Sequence, residues 1–158
     1  MGAHGFFTAN EGHVVNALVP QNISGGKTAQ AFSMANYQHA SILIMFGAMG
    51  GQATAILLNA CTTAAGGSPV AQPYTLYKCE TTNTDVLGPK VSVAATGYQP
   101  ANTADIFYVI EYDADSLPAG SNYVQIQITN GANADLCAVV AVLSGARYAE
   151  DQSPTVIT

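Results

Sequence analysis

Charge is what this sequence has least of. Only 9% of its 158 residues are Asp, Glu, Lys or Arg, against roughly 25% in ordinary soluble domains. The bases are Lys27, Lys78, Lys90 and the single arginine, Arg147, scattered along the chain, and ten acids leave a net charge of -6. Nucleic acid recognition relies on clustered Lys and Arg that displace counterions from phosphate, so nucleic acid is excluded as the expected partner. Acid and base catalysis relies on convergent titratable groups; no serine stands in a nucleophile elbow and no cysteine has a histidine near it in sequence. The expectation is a protein that is not an enzyme, with no catalytic residues and no cofactor.

Tryptophan is absent, and the three cysteines, Cys61, Cys79 and Cys137, are odd in number, widely spaced and free of any C-x-x-C pair. Each lies in or beside an apolar run, which predicts buried free thiols and no disulfide framework. The N-terminus carries neither a basic stretch nor a long apolar one, and Phe6 occupies the position where a myristoylation signal needs Ser or Thr, so no targeting signal is expected. The stretch 41–60 approaches the length of a membrane span and contains Gly47-x-x-x-Gly51. Gln52, Thr54 and Asn59 interrupt it and no Lys or Arg flanks it, so it reads as strand, turn and strand, with no membrane association.

What the chain does have is β-pattern. The run from Leu136 to Leu143 is continuously apolar, bounded by turn residues, and predicts a central strand buried on both faces. Ser41 to Phe46 is apolar on both alternating sets and reads the same way; five residues rich in glycine, 47–51, then join it to Ala53–Cys61 as a hairpin. Pro73–Glu80, Val91–Ala95, Ile106–Tyr112 and Tyr123–Thr129 read as strands, the first and the last two alternating at period two, and Asn130-Gly131 predicts a tight turn that pairs the last of these with the 136–143 strand. Ala31–Met34 is a further short candidate. The sum is an all-β fold of about eight strands: an antiparallel two-sheet sandwich, jelly-roll-like, over residues 28–158. Residues 1–27 follow neither period cleanly and predict an extended N-terminal arm or an edge strand.

Local motifs add little chemistry. Gly26-Lys27-Thr28 has the ending of a phosphate-binding loop, but Gln21 stands where the first glycine belongs and no helix pattern follows, so a turn is expected. His4, His13 and His39 show no convergent spacing, so no metal site is expected; His39 reads as a strand-edge or interface residue. Glu111, Asp113 and Asp115 alternate at strand spacing, which allows hard oxygen ligation of calcium or a merely solvated strand end. Arg147, beside Tyr148, is expected to bridge to Asp135 or Glu111 or to anchor a subunit interface. With so little charge, a surface covered by partner subunits is favoured over a bland free one.

The stretch Met34 to Ile44, then Gly50-Gly51-Gln52-Ala53-Thr54, Cys61, Tyr123 to Ile126 and Leu143-Ser144-Gly145-Ala146-Arg147-Tyr148 together resemble the small head decoration, cement or minor capsid proteins of tailed bacteriophages. The resemblance implies a virion protein made in the host cytoplasm that docks on the capsid surface. Its partners would be the major capsid protein and other copies of itself, a homo-oligomer with a trimer favoured over a dimer. The interface residues expected on this reading are Phe6, Phe7, Val14, Val15, His39, Arg147 and Tyr148. Two rival readings are a tail, baseplate or head-fibre accessory protein and a carbohydrate-binding sandwich with Tyr74, Tyr98 and Tyr112 as stacking platform.

Overall fold

The computed structural model describes residues 8–147; Phe6, Phe7 and Tyr148 lie outside them. A single helical turn, α1 (Thr8–Glu11), leads into eleven strands. They are β1 (Gly12–Asn22), β2 (Lys27–Thr28), β3 (Phe32–Ser33), β4 (Tyr37–Phe46), β5 (Ala55–Cys61), β6 (Val70–Gln72), β7 (Tyr74–Cys79), β8 (Val91–Val93), β9 (Ile106–Asp113), β10 (Tyr123–Thr129) and β11 (Leu136–Ala146). A 3-10 turn, Ala114–Ser116, follows β9. Six strands form one sheet in the order β1-β11-β4-β9-β7-β8, and the second sheet runs β2-β10-β5-β6 with β3 also on β10. Every pairing is antiparallel, which is the expected sandwich with more strands than expected.

The core lies where the inward sets of the two sheets meet. Ala40, Ile42, Ile44 and Phe46 of β4 and Ile106, Tyr108 and Ile110 of β9 face Ile56 and Leu58 of β5 and Val124, Ile126 and Ile128 of β10, all buried. Burying one such aliphatic side chain is worth about 1.5–3 kcal/mol, so the period-two pattern itself selects the register.

The joins between strands differ from the expectation. β4 and β5 do not form a hairpin: they belong to opposite sheets, and the glycine-rich join crosses the sandwich edge. β10 and β11 do not pair either; β11 sits between β1 and β4 in the six-stranded sheet. Both joins meet at the buried carboxylate of Asp135. Its Oδ1 accepts from the backbone N–H of Gly50 (2.7 Å) and Gly51 (3.1 Å), and its Oδ2 from Asn130 Nδ2 (3.0 Å). One side chain thereby holds the β4–β5 and β10–β11 joins together across the end of the sandwich. A Cβ at Gly51 would come within 2.3 Å of the Asn133 side chain, which would have to turn away from its contact with Gln52 O.

At the other side of the sandwich Glu80 collects Tyr98 OH (2.7 Å), Tyr108 OH (2.9 Å) and Lys78 Nζ (3.0 Å). Burial resists its ionisation, but the hydrogen bonds from Tyr98, Lys78 and Tyr108 outweigh that and hold the carboxyl below its ordinary value. Tyr98 in turn exchanges two backbone hydrogen bonds with Ile56 (2.7 and 3.0 Å), tying the long β8–β9 connection to the second sheet.

Tyr112 is buried with no hydrogen-bond partner for its hydroxyl among the described residues. An unpaired buried hydroxyl costs the protein its hydration without return. Tyr112→Phe is therefore expected to leave thermal stability unchanged or raise it by up to about 1 kcal/mol, and a fall in Tm on differential scanning calorimetry would contradict this.

Candidate functional site

The candidate site is the solvent face of the six-stranded sheet. Register places Val14, Val142, Ser41, Glu111 and Thr75 in one row across β1, β11, β4, β9 and β7. The next row toward the other end of β4 is Asn16, Val140, Leu43, Val109 and Tyr77, and beyond it lie Ala138, Met45, Phe107 and Cys79. Val14 is 52% exposed and Met45 42% exposed; Leu43, Tyr77, Phe107, Val109, Val140 and Val142 are half-buried. No described element lies over them.

The continuously apolar sequences of β4 and β11, expected to be buried on both faces, are thus covered by a second sheet on one face only among the described residues. The opposite outer face of the molecule is unlike this one. Gln125, Gln127 and Thr129 of β10 stand beside Asn59 and Cys61 of β5 there, with Asn59 Nδ2 donating to Gln127 Oε1 at 3.2 Å and Cys61 Sγ to Gln125 Oε1 at 3.8 Å. One face has amide and thiol groups paired with one another, while the other is largely apolar and, among the described residues, has no strand or helix over its centre.

His39 marks the rim of the apolar face. Register brings it opposite Asp113, and its Nδ1 and Nε2 lie 2.6 Å from Asp113 Oδ1 and Glu111 Oε2. Ser41 Oγ donates to the same Glu111 oxygen at 2.7 Å. Both ring nitrogens face carboxylates, which suits the imidazolium, since that form donates from both. Burial opposes the charge, but the hydrogen bonds to Asp113 and Glu111 outweigh it and raise the pKa above its ordinary 6.5. The sign follows: a raised folded pKa makes the contribution of His39 to stability complete below 6.5 and lost as pH climbs through the raised value. Urea unfolding against pH is expected to show this decline in the native protein and not in His39→Gln. An equal decline in both would remove the assignment.

The other expected interface residues are not all available. Val15 is a correction: it is 5% exposed and packed in the interior, because the strand alternation that sends Val14 out sends Val15 in. Arg147 pairs with Asp115 at 3.7 Å, in place of Asp135 or Glu111, at the mouth of a groove of about 360 Å³ that Met34, Leu117 and Asn122 help to line. The acidic trio is divided accordingly, two members on His39 and one on Arg147. His13 stacks on Tyr37, with ring centroids 5.8 Å apart. Of the three tyrosines considered as a stacking platform, Tyr74 and Tyr112 are buried and Tyr98 is held in the Glu80 cluster. All three cysteines are buried and free; burial raises the Cys61 pKa and pushes Cys137 up to about 12, which makes them poor nucleophiles. Among the described residues no helix is long and apolar enough to cross a membrane.

Sequence reasoning had the signal for the apolar face in the two-sided pattern of β4 and β11 but took it for double burial. It placed Glu111 and Asp113 on one face and did not join them to His39, because the β4–β9 register is invisible before the fold. No protein-family model matches the chain, and no curated protein matches it. The crystal structure of the SPBc2 prophage-derived protein YomS is similar to it at 13% identity and a TM-score of 0.48, covering 89% of this chain and 100% of that one. A likeness of that size leaves the role of this chain to its own residues.

Proposed function

We propose that the protein is a structural virion protein that decorates the capsid of a tailed phage and stabilises it by bridging major capsid subunits. The observation that carries the docking part of this reading is the uncovered apolar face of the six-stranded sheet, in a chain with only 9% charged residues. Contiguous apolar patches on soluble domains are kept small unless something binds them. A broad, largely apolar sheet face with its charges at one end suits a broad protein surface better than a small ligand, which prefers a concave pocket. The resemblance of the 34–44 and 143–148 segments to decoration proteins supplies the partner. Each contact need contribute only a few kcal/mol, because many copies act on one shell.

The test is sedimentation of the purified protein mixed with empty expanded capsids. Saturable co-sedimentation at hundreds of copies per particle supports decoration; a handful of copies supports a tail or head-fibre accessory role instead. No co-sedimentation removes the proposal.

A further inference from the structure

The edges of the two sheets are unequal. Four of the strands that end or flank a sheet, β2, β3, β6 and β8, are two or three residues long. β1 has eleven residues, and only its second half is guarded. There the register with β11 shifts between Asn16 and Leu18 and again between Leu18 and Gln21, Pro20 interrupts the donors, and the Gln30 N–H caps the outward carbonyl of Ala17 at 2.8 Å. The first half, Gly12–Asn16, runs in unbroken register on β11. Its other edge has no backbone partner among the described residues, and it carries no Lys, Arg, Asp, Glu or Pro. An open, regular, uncharged edge is a template for another strand, and proteins ordinarily block one that is not used.

We infer that Gly12–Asn16 pairs antiparallel with the same segment of a second copy, about a two-fold axis beside Val14. A second copy is the occupant because the segment suits itself. Centring the pairing on Val14 aligns all five residues, sets the exposed valine against its own counterpart, Gly12 against Asn16 and His13 against Val15, and opposes no like charges. β-Branched cross-strand pairs of this kind are stabilising. For a chain of net charge -6, an uncharged contact is where two copies meet with least repulsion. The order is two-fold, in place of the trimer expected from resemblance. An axis normal to the sheet keeps both apolar faces on the same side, so the dimer presents one continuous platform. That last consequence rests on the proposed docking function; the dimer does not.

Sedimentation equilibrium of the full chain over a wide range of loading tests the inference. The expected species is twice the 16.3 kDa chain. Val14→Lys, a change at a side chain already exposed, is expected to weaken it by about tenfold or more. Directly opposed strand residues have Cα atoms about 4.5–5.5 Å apart, within disulfide reach, so Val14→Cys is expected to oxidise to a covalent dimer. Val19→Cys, equally exposed on the guarded half, is expected to stay uncrosslinked, and the native thiols are buried. A monomer at all loadings, a trimer, a dimer indifferent to Val14→Lys, or equal crosslinking at both positions each overturns the inference. A dimer that ignores capsids upholds it and removes the docking function alone.

Discussion

Asp135→Ala is expected to lower stability by about 3–5 kcal/mol and Tm by about 10 °C for a domain of this size. The carboxylate is fully buried and satisfies the Gly50 and Gly51 N–H groups and Asn130 Nδ2. Truncation leaves the Gly50 and Gly51 N–H groups without their acceptor and takes one of three acceptors from Asn130 Nδ2, and each orphaned group costs about 1–3 kcal/mol. Asp135→Asn separates charge from shape. Its one carbonyl oxygen can still take both glycine donors, but its amide then meets the Asn130 amide donor to donor. Asn130 cannot simply turn over, because the same Nδ2 also donates to Ile23 O and Asn133 O. The asparagine variant is expected to lose about half as much, and thermal unfolding by circular dichroism orders the three proteins. If Asp135→Ala unfolds with native Tm, the carboxylate does not organise the crossing of the two joins.

How far the sequence discloses this fold depends on which physical quantity decides each feature. Period-two alternation in β7, β9 and β10 is local and is read correctly, as are the sandwich and its inner faces. The connections turn on long-range contacts. Asn130-Gly131 carries a hairpin signal, and the chain nonetheless crosses to the other sheet, where Asp135 accepts from glycines some 85 positions away as well as from Asn130. The short strands β2 and β6 exist because a neighbouring edge is available to pair with, and their own two or three residues have too little pattern to announce them. For the candidate site the same division holds. Composition shows that the surface is poor in charge, and β4 and β11 show apolar residues on both alternating sets. Whether a second layer covers the outer set is a property of the whole topology. Residue by residue, Val14 lies at a free surface and Val15 does not, a difference that turns on a single step of strand register. His39 becomes part of an ionic clasp only because β9 lies beside β4 in register.

The largest expected effect on binding belongs to the apolar face. Met45→Glu puts a carboxylate on the apolar end of that face, away from Glu111, at a side chain already 42% exposed, so the free protein keeps its hydration and its Tm is expected to change little. Docked, the same carboxylate would be buried against an apolar partner, and an unpaired buried charge costs several kcal/mol. Capsid affinity is therefore expected to fall by about a hundredfold, near 3 kcal/mol. Phe107→Ala removes contact area from the adjacent strand without adding charge; a buried aromatic anchor in an interface is worth about 2 kcal/mol or more, so a loss of about thirtyfold is expected. Gln127→Glu is the control, because it adds the same charge to the opposite face and keeps an acceptor for Asn59. Binding titrations against empty capsids, with Tm measured on each variant, distinguish the outcomes. Losses confined to Met45 and Phe107, at unchanged Tm, place the contact on the six-stranded sheet. Losses confined to Gln127→Glu move it to the amide face of the other sheet, and the uncovered valines, leucine and methionine would then need a different occupant.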